Sequence, residues 1–597
     1  MKRVAWHLAL IVAVAAFALF PHLGSTRLWD RDEPRNAGCA REMLERGDWV
    51  VPTFNHELRV LKPVLAYWCT MTAYQLFGVN EWSARLWSAL FALGSSILTY
   101  YLGHRLFNEK VGLWAALILS TSLLWDTTGH LVTVDAHLMF FSTLALCFYV
   151  YGVFPAGTGN NEPTRDFPTG AMFVWLYIAV GLAILTKGLV GLVPPLAVIG
   201  MFLLIWRLPA QAAPSTWKDY GLSLLRPFAP LHVLKTCWTM RLVSGAVIAL
   251  ALAAPWYVLV GMQTDGEFLR GFFLEHHFGR AVTSMEGHGG PFLLYYLGPI
   301  VVGFFPWSVF LPAALACAAV ALKRRANWSA GYLLCLCWVG VYLFIFSVPR
   351  TKLPSYIAPC YPALALLAGC FLERWIAGLE ASSLWPRRSL RLLGAAGVVL
   401  LVAAVVAAML FMPGKEWLGV VGLIPLAGAA VAWWLMKKDL LPQAASALVI
   451  MALAFNTAFF GLGLVALSGE QRQEVLFSAM KENCPEPKVG WFGCLEPTWV
   501  FYLGRPIYPL VVVRDGMEQP ESTPWNHTPQ DAADWFCAGP DRFIITNNKD
   551  WPWLKAALPA DATVLAECDW FLRRKTLLVV GHGKTAVAGS NKAQPGL

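Results

Sequence analysis

The chain has 597 residues, of which 57% are hydrophobic and only 14% are charged. No water-soluble fold needs that much apolar sequence, so the composition excludes a soluble protein and predicts a polytopic helical membrane protein. The formal net charge of +9 does not indicate a nucleic-acid partner, because much of the excess Lys and Arg lies in short loops between apolar runs.

Apolar runs recur along the chain, and a window of about 20 residues predicts about 13 transmembrane spans. The first run follows Met1-Lys2-Arg3 and is not followed by a small-residue cleavage site, so we expect an uncleaved first span rather than a signal peptide. The predicted spans are 4–20, 83–103, 112–127, 133–152, 171–186, 189–206, 242–261, 296–320, 328–348, 356–374, 392–412, 419–436 and 443–467.

Basic residues cluster on one side of these spans, which marks that side as cytoplasmic. The opposite, outer side then carries residues 21–82, 262–295 and 349–355, and everything after about residue 468. The basic clusters are Lys2-Arg3, Arg105 with Lys110, Arg207 to Arg241, Lys323-Arg324-Arg325, Arg387-Arg388 with Arg391, and Lys437-Lys438.

The composition changes after residue 468, where charged residues, Pro and Asn appear and apolar runs shorten to strand length. Thr528–Ala538 is typical of a helix that opens with a Thr cap. We therefore predict a transmembrane domain at 1–468, which includes a first outer loop at 21–82, and a small α/β domain at 469–597 on the outer face. The predicted strands are Val489–Gly493, Trp499–Leu503, Tyr508–Val513, Phe543–Thr546 and Leu577–Val580.

Four of the 13 cysteines fall in this second domain, namely Cys484, Cys494, Cys537 and Cys568. An even number of cysteines in an oxidising compartment favours two disulfides. The most local pairing, Cys484–Cys494 with Cys537–Cys568, is our hypothesis. No C-x-x-C pair is present in the sequence, so a structural zinc site is not expected.

The most informative stretch follows the first span and reads Trp29-Asp30-Arg31-Asp32-Glu33-Pro34-Arg35, with Lys62-Pro63 further along the same loop. Carboxylates beside guanidinium groups, where a membrane meets water, suit a site that handles an anionic lipid headgroup. Further candidates stand at the outer ends of later spans and in the links between them. They are Asp135, Lys187, His276, Arg280, Arg350, Lys352 and Tyr356.

Several candidates also have a structural interpretation, which the sequence leaves open. A single Lys or Arg near the interface is commonly a snorkelling anchor. Asp135 suits the N-cap of a helix, and Lys187 suits the C-terminal end of one. The convergence of five segments on one side of the membrane nevertheless favours a common site.

This combination of charges suits the displacement of a sugar from a phosphate leaving group. Arg offers a bidentate fork for phosphate and Lys a compact charge, while a neighbouring carboxylate can act as general base on an acceptor hydroxyl or phosphate. Asp30-Arg31-Asp32 formally matches an Asp-x-Asp pattern. It lies in a membrane loop without a phosphate-cradling Gly loop, so it is a weak indication of a nucleotide-sugar enzyme.

The first loop resembles that of the lipid A aminoarabinose transferases, which are polyprenyl-phosphate-dependent glycosyltransferases of the GT-C membrane fold, related to dolichyl-phosphate-mannose protein mannosyltransferases. The similarity covers most of the membrane part. The residues that carry it are Arg31 to Ala37, Arg41-Glu42-Met43-Leu44, Gly47 to Pro52, Lys62-Pro63 and Tyr67-Trp68, then more loosely Val134-Asp135, Leu185 to Gly188, Glu275-His276 and Lys352 to Tyr356.

The resemblance implies a multi-pass protein of the bacterial inner membrane that moves a sugar from undecaprenyl phosphate to lipid A or another envelope acceptor on the periplasmic face. It implies no nucleic-acid partner, and it leaves a divalent metal open, because Leu61 stands where the family usually has an acid. The charge pattern and the resemblance together give the candidate roles, which are catalysis for Asp32, Glu33 and Asp135, binding of the donor phosphate for Arg35, Lys62, Lys187, Arg350 and Lys352, and substrate binding for Tyr356, His276 and Arg280.

Two other functions stay open from the sequence. A protein O-mannosyltransferase-like enzyme would share the fold and the donor chemistry but modify a protein. A transporter or lipid flippase would typically show internal repeats and ionisable residues at mid-membrane. The charges here gather at the outer ends of the spans instead, which favours an enzyme.

Overall fold

A computed structural model describes residues 2–29, 32–155, 162–208, 225–279 (without the side chains of 276–279), 294–325, 328–380, 383–493, 495–510, 529–570, 573 and 575–583. The chain divides into two compact units, residues 1–465 and 466–597.

The first unit is a helical bundle, which confirms the predicted all-α polytopic architecture. The residues that the structure describes contain ten helices long and apolar enough to cross a membrane, and two bent helix pairs raise that number to twelve. The apolar helix Ala171–Lys187, with 17 residues, is the counterpart of the remaining predicted span.

The α-helices of this part of the chain are α1 (Lys2–Leu19), α2 (Asp32–Arg46), α3 (Leu65–Phe77), α4 (Glu81–Leu106), α5 (Glu109–Leu119), α6 (Leu123–Gly129), α7 (Val134–Val153), α8 (Ala171–Lys187), α9 (Leu189–Trp206), α10 (Pro230–Thr239), α11 (Leu242–Gln263), α12 (Glu267–Arg270), α13 (Leu297–Gly303), α14 (Leu311–Lys323), α15 (Ser329–Ser347), α16 (Tyr361–Ile376), α17 (Trp385–Phe411), α18 (Val420–Lys437), α19 (Leu441–Ala458) and α20 (Val465–Ser468). Short 3-10 helices lie at Arg226–Phe228, Leu294–Tyr296, Trp307–Phe310, Pro354–Cys360 and Glu416–Gly419, and π-helical turns at Gly271–Gly279 and Phe459–Leu464.

Two predicted spans are not continuous helices. The span predicted at 296–320 is a helix pair bent by 114° between Gly303 and Trp307, where Pro306 can neither donate a backbone hydrogen bond nor fit a helix interior. The span predicted at 112–127 bends by 66° between α5 and α6. At that bend Ser120, Thr121 and Ser122 each bond back to a carbonyl one turn earlier, which competes with helix continuation.

Close helix packing in the bundle relies on small residues. A Cβ added to Gly112 of α5 would lie 2.5 Å from the carbonyl oxygen of Tyr100 in α4, and one added to Gly103 would lie 2.5 Å from the Cα of Gly112. Small residues let helix backbones approach where lipid supplies no hydrophobic driving force. These two glycines therefore set the spacing of the α4–α5 hairpin.

Residues 21–82, predicted as the first outer loop, form helices and a short β-hairpin. Helix α2 is followed by a hairpin of strands β1 (Thr53–Phe54) and β2 (Glu57–Leu58), and then by α3. The carboxylate of Glu42 accepts hydrogen bonds from the Thr53 hydroxyl and from the backbone N–H groups at the hairpin turn. The hairpin is thereby tied to α2.

A buried ion pair anchors the start of this loop to the bundle. Arg85 of α4 and Glu33 of α2 are each only 1% exposed. The guanidinium donates Nε to Glu33 Oε1 at 2.6 Å and Nη2 to Oε2 at 3.0 Å, which is the strong bidentate geometry. Its other donors bind the carbonyl oxygens of Leu23, Thr26 and Arg27 and the hydroxyl of Thr26.

The second unit is a small α/β domain, as predicted. Its five-stranded sheet has the order β4-β3-β5-β7-β6, with β3 parallel to β4 and β5, and β7 antiparallel to β5 and β6. Its strands are β3 (Lys488–Trp491), β4 (Ile507–Pro509), β5 (Arg542–Asn547), β6 (Ala562–Trp570) and β7 (Lys575–His582), and its helices are α21 (Glu474–Asn483), α22 (Pro497–Leu503), α23 (Pro529–Cys537) and α24 (Trp551–Lys555).

Two details of this unit differ from the predictions, and a third lies partly outside the described residues. Trp499–Leu503, predicted as a strand, lies in helix α22, which Pro497 opens and Gly504 ends with φ 65°, the usual Pro and Gly positions. Strand β6 was not predicted. The strand predicted at Tyr508–Val513 begins as β4, and residues after 510 lie outside the described part.

The predicted Cys537–Cys568 disulfide is wrong. Both thiols are free: Cys537 is exposed at the end of α23, while Cys568 is buried on β6. Cys484 is also a free thiol, and Cys494 lies outside the described residues.

We expect Arg85→Met to lower the free energy of unfolding by about 3–5 kcal/mol, because it leaves the Glu33 carboxylate buried without its cation. Unfolding in detergent measures this loss, with Arg388→Met, which changes an exposed Arg, as the control. The double change Arg85→Met with Glu33→Gln is expected to be less harmful than Arg85→Met alone. A loss no larger than that of the control would contradict an anchoring role.

Candidate active site

An ion pair at facing helix ends forms the centre of the candidate site. Asp135, only 8% exposed, lies in the first turn of α7, and Lys187 ends α8. The Lys187 Nζ lies 2.5 Å from Asp135 Oδ1, and the Ser355 side chain also bonds to this carboxylate. Both charges complement their helix dipoles. Thr133, not Asp135, occupies the N-cap position, so the sequence-based N-cap interpretation of Asp135 is wrong.

Two further predicted residues join this pair. Lys62, 8% exposed, follows strand β2 and acts electrostatically on Asp135. Tyr356 lies in the 3-10 helix Pro354–Cys360, and its ring faces the Lys187 ammonium at 4.8 Å, a cation–π contact. Four separate segments of the bundle therefore meet at Asp135.

The link between α15 and the 3-10 helix Pro354–Cys360 carries two cations, Lys352 and Arg350, which differ in burial. Lys352 is buried and donates its Nζ to the carbonyl oxygen of Pro349 at 2.7 Å. Arg350 is exposed. The hydroxyl of Tyr295 donates to the Lys352 carbonyl oxygen at 3.3 Å, so the backbone of this link is fixed beside Tyr356.

The adjacent acids Asp32 and Glu33 have different environments. Glu33 is saturated, because it accepts bonds from Arg85 and also from the backbone N–H groups of Trp29, at 2.5 Å, and Val132, at 3.0 Å. Asp32 is partly exposed at the first position of α2, as is Arg35 one turn later. Of these two acids, Asp32 is the one that a substrate can reach.

Two further residues near the start of α2, Arg59 and Asn36, were not among the predicted site residues. Arg59, 5% exposed, donates to the hydroxyl of Tyr67 and to the Asn36 side-chain oxygen, both at 3.1 Å. Asn36 donates in turn to the carbonyl oxygen of Val132 at 2.9 Å. The spacing of Asn36, four residues after Asp32 and thus on the same helix face, is the sequence feature that could have identified it.

The electrostatics of this pocket follow from its burial. Burial lowers the pKa of the Arg59 guanidinium, but the neighbouring Tyr67, Cys39 and Asp32 raise it more, so its pKa lies above the ordinary value. Burial raises the pKa of the Cys39 thiol to about 12. Arg59 is therefore permanently charged, while Cys39 is neutral at physiological pH.

Two predicted substrate-binding residues lie partly or wholly outside the described residues, and the described part shows no group of metal ligands. The side chain of His276 and the whole of Arg280 lie outside the described residues. Within the described ranges, no three His, Cys, Asp or Glu side chains are grouped as metal ligands. Leu61, next to Lys62, is buried and offers no ligand atom.

Comparison with known proteins identifies the family. The family profile described as dolichyl-phosphate-mannose-protein mannosyltransferase matches residues 61–234, a range that contains Lys62, Asp135 and Lys187. The undecaprenyl phosphate-alpha-4-amino-4-deoxy-L-arabinose arabinosyl transferase of Pectobacterium carotovorum is 30% identical over 445 residues, which cover 72% of this chain and 71% of that protein. The chain belongs to this arabinosyl transferase family.

Other members of the arabinosyl transferase family agree. The enzyme of the same name from Enterobacter sp. is 30% identical over 371 residues, which cover 62% of this chain and 59% of that protein. The alignment thus spans less than two thirds of the length of that relative. The crystal structure of ArnT from Cupriavidus metallidurans bound to undecaprenyl phosphate matches with a TM-score of 0.75 at 26% identity, over 98% of this chain and 99% of that one. This match confirms the predicted GT-C fold.

Proposed function

We propose that this arabinosyl transferase family member transfers a sugar from undecaprenyl phosphate to lipid A or another envelope acceptor. The observation that carries the proposal is the convergence of Lys62, Lys187 and Tyr356 on Asp135. The names of the relatives specify an undecaprenyl-phosphate donor, and the similar ArnT structure holds undecaprenyl phosphate. Fold alone would not assign the activity, so the charged cluster supplies the chemical support.

The donor phosphate is the natural partner of the cations in this site. Lys62 and Lys187 are nearly buried and close to Asp135, where a phosphodiester charge would be held in a low dielectric and attracted strongly. Arg35, Arg350 and Lys352 extend the same role towards the outer surface. Because Lys187 already pairs with Asp135, the phosphate would share this ammonium rather than replace its partner.

Asp32 is the proposed general base. The acceptor hydroxyl attacks the anomeric carbon of the donor sugar, Asp32 takes the hydroxyl proton, and the bond from that carbon to the phosphate oxygen breaks. The bonding electrons leave with undecaprenyl phosphate, whose charge the cations stabilise. A single displacement of this kind inverts the anomeric centre.

The other predicted residues take supporting roles in this proposal. The saturated Glu33 holds the loop in place instead of exchanging protons. Asp135 orients Lys187, and the ring of Tyr356 lines the sugar or phosphate pocket. His276 and Arg280 stay predicted substrate-binding residues.

The chain is a multi-pass membrane protein of this family, and we further propose that its site faces the periplasm of a bacterial inner membrane. The support is the charge bias of the loops, since the predicted topology puts the basic clusters on the side opposite residues 21–82. Undecaprenyl-linked donors and lipid A acceptors also meet on that face in the family interpretation.

A protein acceptor is the second candidate. The description of the matching profile names a protein mannosyltransferase, and the donor half of the site would serve either acceptor. The acceptor therefore has to be identified from the reaction products.

Transfer itself is tested by mass spectrometry of lipid A and envelope glycans from cells that express the wild type, Asp32→Asn or no enzyme. We expect the wild type to add the mass of one sugar, and Asp32→Asn to lower that product by at least about 100-fold, as loss of a general base does. Expression level and melting temperature of the variant serve as controls. Full modification by Asp32→Asn would remove Asp32 from the mechanism. A sugar found only on protein would favour the second candidate, and no sugar on either acceptor would contradict transfer.

Lys62→Ala is expected to weaken binding of undecaprenyl phosphate by about 10- to 100-fold, because it removes one charge-assisted contact. Tryptophan fluorescence during titration with undecaprenyl phosphate in detergent measures this affinity. Lys323→Ala, which changes an exposed Lys, is the matched control. An affinity equal to that of the control would count against a phosphate contact at Lys62.

Reporter fusions test the side of the membrane. Alkaline phosphatase joined after Gly78, near the end of the predicted outer loop 21–82, is expected to be active. The same reporter joined after Lys323 is expected to be inactive. A fluorescent protein that folds only in the cytoplasm should give the opposite pattern. An inactive phosphatase after Gly78 would place Asp32 and Lys62 in the cytoplasm and overturn the periplasmic assignment.

A further inference from the structure

We propose that Arg59 is a positioning residue for catalysis. It keeps the Asp32 carboxylate ionised and holds it in a fixed position relative to Asp135. This inference rests on the proposed role of Asp32 as general base. It assigns a function to a buried cation that neither the charged motifs nor the phosphate contacts account for.

The first step is the cost of burying Arg59. Arg59 directly follows strand β2, and its backbone N–H donates to the carbonyl oxygen of Pro52 at 2.9 Å. The residue is only 5% exposed. A guanidinium removed from water requires compensation by hydrogen bonds and opposite charge. The hydroxyl of Tyr67 and the amide of Asn36 supply hydrogen bonds, and the Phe54 ring lies 6.0 Å away. None of these three groups carries a negative charge.

The second step is the position of Asp32. Asp32 and Asn36 are four residues apart on α2 and share one helix face. Since the Arg59 guanidinium bonds to Asn36, its charge lies along that face, and Asp32 interacts with it electrostatically. A fixed cation beside a carboxylate favours the ionised form of the carboxylate. A base that stays ionised is ready to accept the proton of the acceptor hydroxyl.

The third step is the source of negative charge beside Arg59. Among the described residues, Asp32 is the group that can offer Arg59 a negative charge near pH 7. The described groups that act on Arg59 are Tyr67 from α3 and Cys39 and Asp32 from α2. Burial raises the pKa of Cys39 to about 12 and raises that of Tyr67 above its ordinary value, so both are neutral near pH 7. Further charged groups border this pocket, and the experiment below has to keep them unchanged: Glu42 and Arg46, which act on Cys39, the ion-paired Glu33 and Arg85, Arg35 on the same helix, and Lys62 in the same loop.

The fourth step connects the pocket to the second carboxylate. The Asn36 amide accepts from Arg59 through its oxygen and donates through its nitrogen to the carbonyl oxygen of Val132. Val132 lies in the short segment before α7, three residues ahead of Asp135. One side chain therefore joins the hairpin, the helix that begins with Asp32, and the entry to the helix of Asp135.

The test is a pH profile of kcat/KM for Arg59→Gln, Arg59→Lys and Asp32→Asn, with undecaprenyl phosphate-4-amino-4-deoxy-L-arabinose as donor and lipid A as acceptor. Arg59→Gln should lower kcat/KM at least tenfold and move the acidic limb upward by about one pH unit, because a carboxylate without its cation needs a higher pH to ionise. Arg59→Lys, which keeps the charge, should keep the wild-type limb. Arg41→Gln, a change on the same helix to an Arg paired with the exposed Glu45, is the matched control and should leave the profile unchanged.

The outcomes separate this inference from the proposed function. An unmoved acidic limb in Arg59→Gln, with Asp32→Asn inactive, would overturn the role of Arg59 and leave the general base intact. An active Asp32→Asn would overturn the general base itself. If Arg59→Gln does not fold, Tyr67→Phe releases one of the bonds that orient the guanidinium and should move the limb in the same direction by a smaller amount. A wild-type limb in Tyr67→Phe would then overturn the inference.

Discussion

The candidate site depends on the pairing of opposite charges where helices end in a poorly solvated region. Asp135 and Lys187 lie at the ends of α7 and α8 whose helix dipoles favour their charges. Each is the main compensation for burying the other. The pair joins the ends of two helices that also pack against each other along their length. Within the pair, the opposite charges of Asp135 and Lys187 nearly cancel, and Lys62 adds a positive charge nearby. A phosphodiester bound here would bring a negative charge that both Lys62 and Lys187 could stabilise.

Environment separates the roles of two adjacent acids that the sequence presents as equivalent. Every hydrogen-bonding direction of Glu33 is taken by Arg85 and two backbone N–H groups, so this acid fixes the loop on α4. Its neighbour Asp32 is partly exposed and lies beside the charge of Arg59. The proposed base thus begins a helix whose second residue is bound to α4, and this arrangement limits the motion of the Asp32 backbone.

Sequence reasoning performed best where one physical rule dominates. An apolar helix or bent helix pair lies at each of the positions that hydropathy and length predicted, because the bilayer demands about 20 apolar residues per helix. Of the predicted site residues, Lys62, Lys187 and Tyr356 lie close to Asp135. Hydropathy could not reveal the 114° bend at 303–307, since both arms stay apolar. Trp499–Leu503 was misassigned because a short apolar run fits a strand or a buried helix. The Cys537–Cys568 pairing failed because cysteine number carries no geometry. Arg59 and Asn36 were missed because they act through contacts between segments distant in sequence.

The cations of the site are held in advance of any substrate, which bears on how such a site would stabilise a leaving group. The Lys352 ammonium is bound to the Pro349 carbonyl oxygen, and the Lys187 ammonium lies between a carboxylate and the face of Tyr356. Groups fixed in this way would need no reorganisation when charge develops on a phosphate, and such preorganised electrostatic stabilisation is usually the largest single term in enzymatic catalysis. Because Asp135 keeps part of the Lys187 charge, this ammonium would hold a bound phosphate less tightly than an unpaired ammonium would.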